Sequence, residues 1–317
     1  MTNEAEHVIE VENLTKRYGG LLAVNGISFT VRKGEVFAFL GPNGAGKTTT
    51  VEIIETIRTA TSGNVRLLGM DVTKRKRDIV PRIGVLPQGF SSFDRITVRE
   101  TLQYFSRLFC RGKTDVDGLI DLVNLKDKTR EQYQNLSGGL KQRLGIAIAL
   151  VNDPEVVFLD EPTTGLDPGA RREVWEVLQG LKNKGKTVFL TTHYMEEAEL
   201  LADMVAIISK GKIIAMGSPA ELIEKNTNYL ILTLQSVDEK AFEIIRKMGF
   251  EPILNDHKEI KTKVEHTDEV QKILSAIKDA GALYLGLDVR KPNLEEVFLK
   301  LTGEALHDGQ VGGKGAE

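Results

Sequence analysis

The hydropathy pattern opens with partial alternation at residues 8–14 and 27–31, where apolar and polar side chains take turns as in strands buried on one face. Residues 35–40 are mostly apolar instead, and so are 156–159. Runs this short and this continuous predict central strands covered on both faces. The first run ends at a glycine, and a helical stretch begins near Lys47. From about Thr97 to Leu150 the period becomes helical, with Val98, Leu102, Phe105 and Leu108 recurring at three or four, and Leu119, Leu122 and Val123 behind them. After the second buried strand the pattern predicts a helix at 174–181, a strand at 187–190 and a short helix at 196–202. Strands at 205–209 and 212–216 then flank a turn at Lys210-Gly211. Strands and helices interleaved in this way indicate an α/β domain carrying a largely helical insertion at about 90–150.

Beyond about Glu224 the order changes to strand, helix, strand, strand, helix, strand. The pieces are 229–235, 239–248, 252–254, 259–264, 268–280 and 283–289, and that order predicts a small ferredoxin-like α+β appendage at 225–304. A last helix is expected at 293–301, packing back on the appendage. The glycine-rich tail, 305–317, is expected to be disordered.

Composition narrows the class rather than the chemistry. With 41% hydrophobic and 27% charged residues in 317, the chain has the balance of a folded protein large enough for a main domain and a smaller one. A net charge of −3 supplies no basic footprint for nucleic acid, and none is expected as a partner. The local basic run Lys74-Arg75-Lys76-Arg77 is read as a solvated surface loop. The single cysteine, Cys110, excludes an intrachain disulfide, and its apolar setting predicts a packed side chain. The acidic start MTNEAEHVIE lacks the basic and apolar regions of a secretory signal, and no stretch approaches the roughly 20 apolar residues of a spanning helix, so a cytosolic chain is expected.

Gly41-Pro42-Asn43-Gly44-Ala45-Gly46-Lys47-Thr48 fits the phosphate-loop pattern G-x-x-x-x-G-K-[ST] without departure, with Thr49 following. The glycines let backbone N–H groups converge on phosphates, and the helix behind adds its positive end. Lys47 should reach the β/γ-phosphates of ATP, and the Thr48 hydroxyl should help to hold Mg²⁺. The strand at 156–159 delivers two acids at its tip, where open α/β sheets place ligands. Asp160 is expected at the Mg²⁺ and Glu161 at the attacking water. Between these elements, Ser137-Gly138-Gly139 before a helix makes a second anion-binding start, with Ser137 as an ordinary cap the plain alternative. A phosphate-loop enzyme has no need of a second one within a single chain. The segment is therefore expected to serve a nucleotide held by a second copy.

Over residues 8 to 220 these motifs, in this order, resemble the ATP-binding subunit of an ABC transporter: a phosphate-loop NTPase cassette with a RecA-like core, an antiparallel β subdomain and a helical subdomain, here spanning 1–224. The resemblance implies an ATPase and assigns further roles. Tyr18 in Lys16-Arg17-Tyr18-Gly19 would stack on adenine, and Gln88 in Leu86-Pro87-Gln88 would sense Mg²⁺ and couple to a membrane partner. Gly165-Leu166-Asp167-Pro168 would cross to the second subunit, and His193 would contact the γ-phosphate. Catalytic work would then fall to Lys47, Gln88, Glu161 and His193, with Thr48, Gln88 and Asp160 at the metal. Leu140 stands where the family consensus has glutamine, which implies altered tuning with the phosphate-facing residues intact. Residues 291–303 resemble the C-terminal signature of drug- and antibiotic-resistance exporters, implying efflux through a separate integral permease. The chain would then sit peripherally on the inner face of the cell membrane and dimerise on ATP. Soluble relatives that act on nucleic acid or ribosomes carry paired cassettes or long coiled-coil insertions, and this sequence has neither.

Overall fold

The computed structural model describes residues 6–303 except 110, 111, 236, 238 and 256. Cys110 and the tail from 304 lie outside the described residues. The chain forms two compact units, one ending at Pro219 and the other beginning at Ala220.

The first unit begins with a long hairpin, β1 (His7–Tyr18) and β2 (Leu21–Arg32). Both strands outrun the alternation that predicts them. Register shifts after Val11 and Leu14 break the period of two, while backbone pairing continues out to Tyr18 opposite Leu21. Next come β3 (Val36–Leu40) and α1 (Lys47–Ile54), followed by β4 (Ser62–Leu67) and β5 (Met70–Asp71), which complete an antiparallel sheet in the order β2-β1-β4-β5. The basic run expected as a loop instead opens the one-turn helix α2 (Lys76–Ile79). Lys74 pairs with Asp71, Arg75 pairs with Asp78, and Lys76 donates to the Thr56 carbonyl. Then follow β6 (Ile83–Leu86), α3 (Val98–Phe109), α4 (Val116–Leu122) and α5 (Gly138–Ala149). Among the described residues the stretch read as helical from 97 to 150 is thus three α-helices, with 3-10 turns at Lys126–Lys128 and Tyr133–Asn135 before the last, and Asp115 and Ser137 cap the second and third.

The remaining elements are β7 (Val156–Asp160), α6 (Pro168–Asn183), β8 (Thr187–Thr192), α7 (Met195–Leu201), β9 (Met204–Ser209) and β10 (Lys212–Gly217). With β3 and β6 they form a six-stranded sheet in the order β10-β9-β3-β8-β7-β6, parallel apart from the β9–β10 hairpin. All residues of β3, β7 and β8 are buried, as their continuous apolar runs require. Phe29 of the antiparallel sheet meets Phe37 and Phe189 of the parallel one at ring distances of 5.3 and 6.1 Å, so one core joins the two sheets. Each such buried ring contributes about 1.5–3 kcal/mol. This packing fixes where the carboxyl ends of β3, β8, β7 and β6 emerge side by side.

The unit boundary falls after the first residue of α8 (Pro219–Asn226), and the second unit continues through β11 (Leu230–Gln235), α9 (Glu239–Lys247), β12 (Ile253–Leu254), β13 (Ile260–Val264), α10 (Thr267–Asp279), β14 (Gly286–Arg290) and α11 (Leu294–Thr302). Its sheet has the order β12-β13-β11-β14 with every pairing antiparallel, the split βαβ arrangement of ferredoxin-like modules. Leu232, Leu234, Ile260, Ile273 and Ile277 form its own core. Asn293 lies just outside α11 and caps it reciprocally with Glu296.

Candidate functional site

The loop after β3 turns so tightly that two of its glycines are required by contact. A Cβ at Gly41 would lie 2.3 Å from the Ile208 carbonyl oxygen, and one at Gly46 would lie 2.4 Å from that of Ala23. Gly46 also holds φ of 104°, in the left-handed region that side chains disfavour. It caps α1 without a side-chain acceptor, so the first N–H groups of the helix stay available to an anion. Lys47 curls back over this loop, its buried Nζ donating to Gly41 O at 2.8 Å and Pro42 O at 3.2 Å.

Two strands away, β7 presents both acids. Asp160 accepts from Thr191 Oγ1 at one carboxylate oxygen and from Thr48 Oγ1, 3.3 Å away, at the other. Glu161 follows in a left-handed conformation with φ of 49°, which is uncommon for a residue with a Cβ. Its backbone N–H donates to both the carbonyl and the hydroxyl of Thr191, and this pairing holds the turn. The turn aims the carboxylate into a ring of donors. Oε1 is 3.1 Å from Lys47 Nζ, and Oε2 accepts from Thr164 Oγ1 at 3.0 Å and Gln88 Nε2 at 3.4 Å. His193 Nδ1 lies 3.2 Å from Oε2, at an angle that leaves this buried nitrogen without a hydrogen bond.

The electrostatics separate the two acids. Burial pushes Glu161 upward, but the His193 contact and the Lys47 charge outweigh it and hold the carboxyl at about 2. Burial raises Asp160 above its ordinary value against the pull of its Thr191 hydrogen bond. A buried carboxylate that stays ionised can orient water and accept a proton, while an oxygen pair such as Thr48 and Asp160 suits a small hard cation such as Mg²⁺.

The structure brings Lys47, Thr48, Gln88, Asp160, Glu161 and His193 together at one end of the parallel sheet, from four adjacent strands. Tyr18 stands at the tip of the β1–β2 hairpin, partly exposed, with Lys16 Nζ and the Arg58 guanidinium 5.1 and 5.4 Å from its ring centre. Pro42, Asn43, Gly44, Ala45 and Thr49 belong to the phosphate loop and the start of α1. Ser137, Gly138 and Gly139 do not join this cluster. Ser137 accepts from Leu140 N, and the two glycines face Leu166 and Ala170. Sequence reasoning missed Thr191 and Thr164, which orient the two acids. Their only signal was the pair of threonine doublets, 163–164 and 191–192, flanking otherwise apolar or acidic motifs.

Residues 24–164 match the family model described as ABC transporter. Over 95% of this chain and 98% of the relative, the sequence is 41% identical to a Nod factor export ATP-binding protein I of Burkholderia orbicola. It is 33% identical, over 95% of this chain and the whole of the relative, to a linearmycin resistance ATP-binding protein of Bacillus subtilis. Among solved structures, the ADP conformation of an ATP-binding cassette of an ABC transporter superposes with a TM-score of 0.63 at 25% identity, covering 70% of this chain and 94% of that one. The fold is also shared with cbiO1 of Clostridium perfringens, part of the ABC transporter complex cbiONQ, with a TM-score of 0.63 at 24% identity over 77% of this chain and 96% of that one.

Proposed function

The chain belongs to the ABC transporter family as an ATP-binding, ATP-hydrolysing subunit, and on that premise we propose that it powers an exporter as a dimer attached to a separate permease. The observation that carries this reading is the convergence of Lys47, Gln88, Thr164 and His193 on the ionised Glu161. In that state Lys47 is occupied by Glu161 and two loop carbonyls. An arriving triphosphate offers it a stronger anion, so Lys47 turns to the β/γ-phosphates while the N–H groups at the start of α1 close on them. Glu161 is thereby released, still ionised, to take the proton of the attacking water. Gln88 and His193 donate toward the γ-phosphate and that water. Thr48 and Asp160 would hold Mg²⁺, which when bound spreads the charge developing on the phosphates. Tyr18 offers its ring to the adenine.

Ser137, Gly138 and Gly139, turned away from this cluster, would close over the ATP of a second copy. Hydrolysis removes the bridging γ-phosphate, and the dimer opens by differential affinity for the two nucleotides. The permease would dock where Phe93, Tyr104, Leu108 and Phe109 stand exposed beyond Gln88, an apolar patch in which Phe93 and Tyr104 meet edge to face at 5.2 Å. No helix among the described residues is long and apolar enough to cross a membrane, and attachment to the inner face of the cell membrane would run through that contact. Export rather than import is supported by the relatives whose names specify Nod factor export and linearmycin resistance.

The test is purification of the tagged chain from detergent-solubilised membranes of its host. A polytopic membrane protein at near-equal stoichiometry is expected. A chain that emerges alone, or with ribosomes or DNA, overturns the exporter and leaves the ATPase standing.

A further inference from the structure

One buried acid has no part in the site described above. Glu197, on α7, is fully buried and lies four residues beyond His193. Its Oε1 accepts two hydrogen bonds, from Thr163 Oγ1 at 2.8 Å and from Trp175 Nε1 at 3.0 Å. Thr163 is itself buried and stands two residues after Glu161, in the segment that leads into α6; Trp175 lies within α6. His193 and Glu197 therefore meet the same short segment at two points, His193 by its 3.2 Å approach to Glu161 and Glu197 by its hydrogen bond from Thr163. A second strut runs parallel to the first: the Arg171 guanidinium of α6 lies 3.9 Å from the ring centre of Tyr194, whose own ring is 4.2 Å from that of His193.

A buried carboxylate is costly unless its oxygens find donors; Oε1 of Glu197 finds two while its buried Oε2 makes no hydrogen bond, and packing alone would be served as well by an apolar side chain. The donors chosen here belong to the segment that follows the hydrolytic acid and to the helix after it. We propose that Glu197 is a positioning residue for ATP hydrolysis, clamping Thr163 and Trp175 so that Glu161 and His193 keep their mutual geometry. The proposal rests on the roles assigned to Glu161 and His193. It makes the 161–167 segment, α6 and the start of α7 one rigid block, so that a displacement of His193 by the γ-phosphate moves the segment after Glu161 with it. The acceptor required is one oxygen with two lone pairs directed at a hydroxyl and an indole, and a glutamine supplies that as well as a glutamate.

The experiment measures steady-state ATPase kcat and KM and the equilibrium Kd for a fluorescent ATP analogue, on the full chain, for wild type, Thr163→Val, Trp175→Phe, Glu197→Ala and Glu197→Gln. Thr163→Val is nearly isosteric and removes only the hydroxyl, so it remains informative should Glu197→Ala fold poorly. Thr163→Val, Trp175→Phe and Glu197→Ala are expected to lower kcat at least ten-fold with the analogue Kd within three-fold of wild type. Glu197→Gln is expected to keep kcat within three-fold. Wild-type kcat in Thr163→Val overturns the proposal. So does a loss in Glu197→Gln as deep as in Glu197→Ala, which would mark a need for the charge and not for the acceptor, or a parallel loss of kcat and nucleotide binding, which would mark a merely structural acid. A separate control, Glu161→Gln, reports on the underlying reading: rapid turnover there defeats the role of Glu161 whatever the Glu197 series shows.

Discussion

Glu161 is held ionised by its neighbours, and the consequences can be worked out with sign. Its carboxyl falls from the ordinary value of 4.5 to about 2, with burial opposing the shift and His193 and Lys47 enforcing it. At about 1.4 kcal/mol per unit, the interaction is on the order of 3 kcal/mol. Because the folded value is depressed, this stability is fully present above pH 4.5 and disappears as the pH falls toward 2. Urea midpoints of the nucleotide-free wild type and of Glu161→Gln should differ most at neutral pH and converge between pH 4.5 and 2. A difference that does not change over that window would mean the acid is not ionised in the native state. The same substitution removes the proton acceptor, so kcat should fall by about 10²- to 10⁴-fold. With ATP and Mg²⁺ it should elute from a sizing column at twice the mass of the single chain, and a variant that stays monomeric or turns over rapidly would refute the role of Glu161.

At the scale of elements, α1 couples the phosphate loop to a second acid. Glu55 caps the carboxyl end of this helix, buried, and its carboxyl is pushed up to about 8 by burial first and by the nearby charge of Asp160 second. A carboxyl raised in the folded state costs stability as the pH climbs from 4.5 toward 8, since the unfolded chain ionises freely. Glu55→Gln should therefore raise the melting temperature at pH 8, by several degrees, and leave it unchanged at pH 4; an equal effect at both would place the acid in solvent-like surroundings. Nothing in the sequence announces this residue, because Ile53-Ile54-Glu55-Thr56 reads as an ordinary helix end. Legibility followed burial pattern and backbone chemistry. The continuous runs of β3, β7 and β8 and the glycines of the phosphate loop were readable, because central burial and close approach leave few residue choices. The polar strand β4, whose first four residues include Ser62, Gly63 and Asn64, was not, since its partners in β1 rather than its own alternation place it in a sheet. The convergence of Gln88 and His193 on Glu161 was legible only through family resemblance, since each lies on a different strand end and nothing local to either points to the others.

At the scale of the whole molecule, each unit has a core cluster built from its own residues: Phe29, Phe37, Phe39, Phe158 and Phe189 in the first, and Leu232, Leu234, Ile260, Ile273 and Ile277 in the second. Separate cores of this kind should melt as separate cooperative steps. Every group proposed to touch ATP lies before Pro219, so nucleotide should stabilise one step alone. At a concentration one hundred times the dissociation constant the gain is about 2.7 kcal/mol, or roughly 5–10 °C for a unit of about 200 residues. Scanning calorimetry of the full chain should show two transitions, of which only the larger moves when ATP and Mg²⁺ are added. Ile273→Ala identifies the other, because deleting most of a fully buried isoleucine should cost about 2–5 kcal/mol in the second unit and leave the nucleotide-sensitive transition in place. If instead a single transition shifts as a whole with both ATP and Ile273→Ala, the two units unfold together. The appendage would then be a working part of the nucleotide-binding unit, sharing in the energy that ATP supplies.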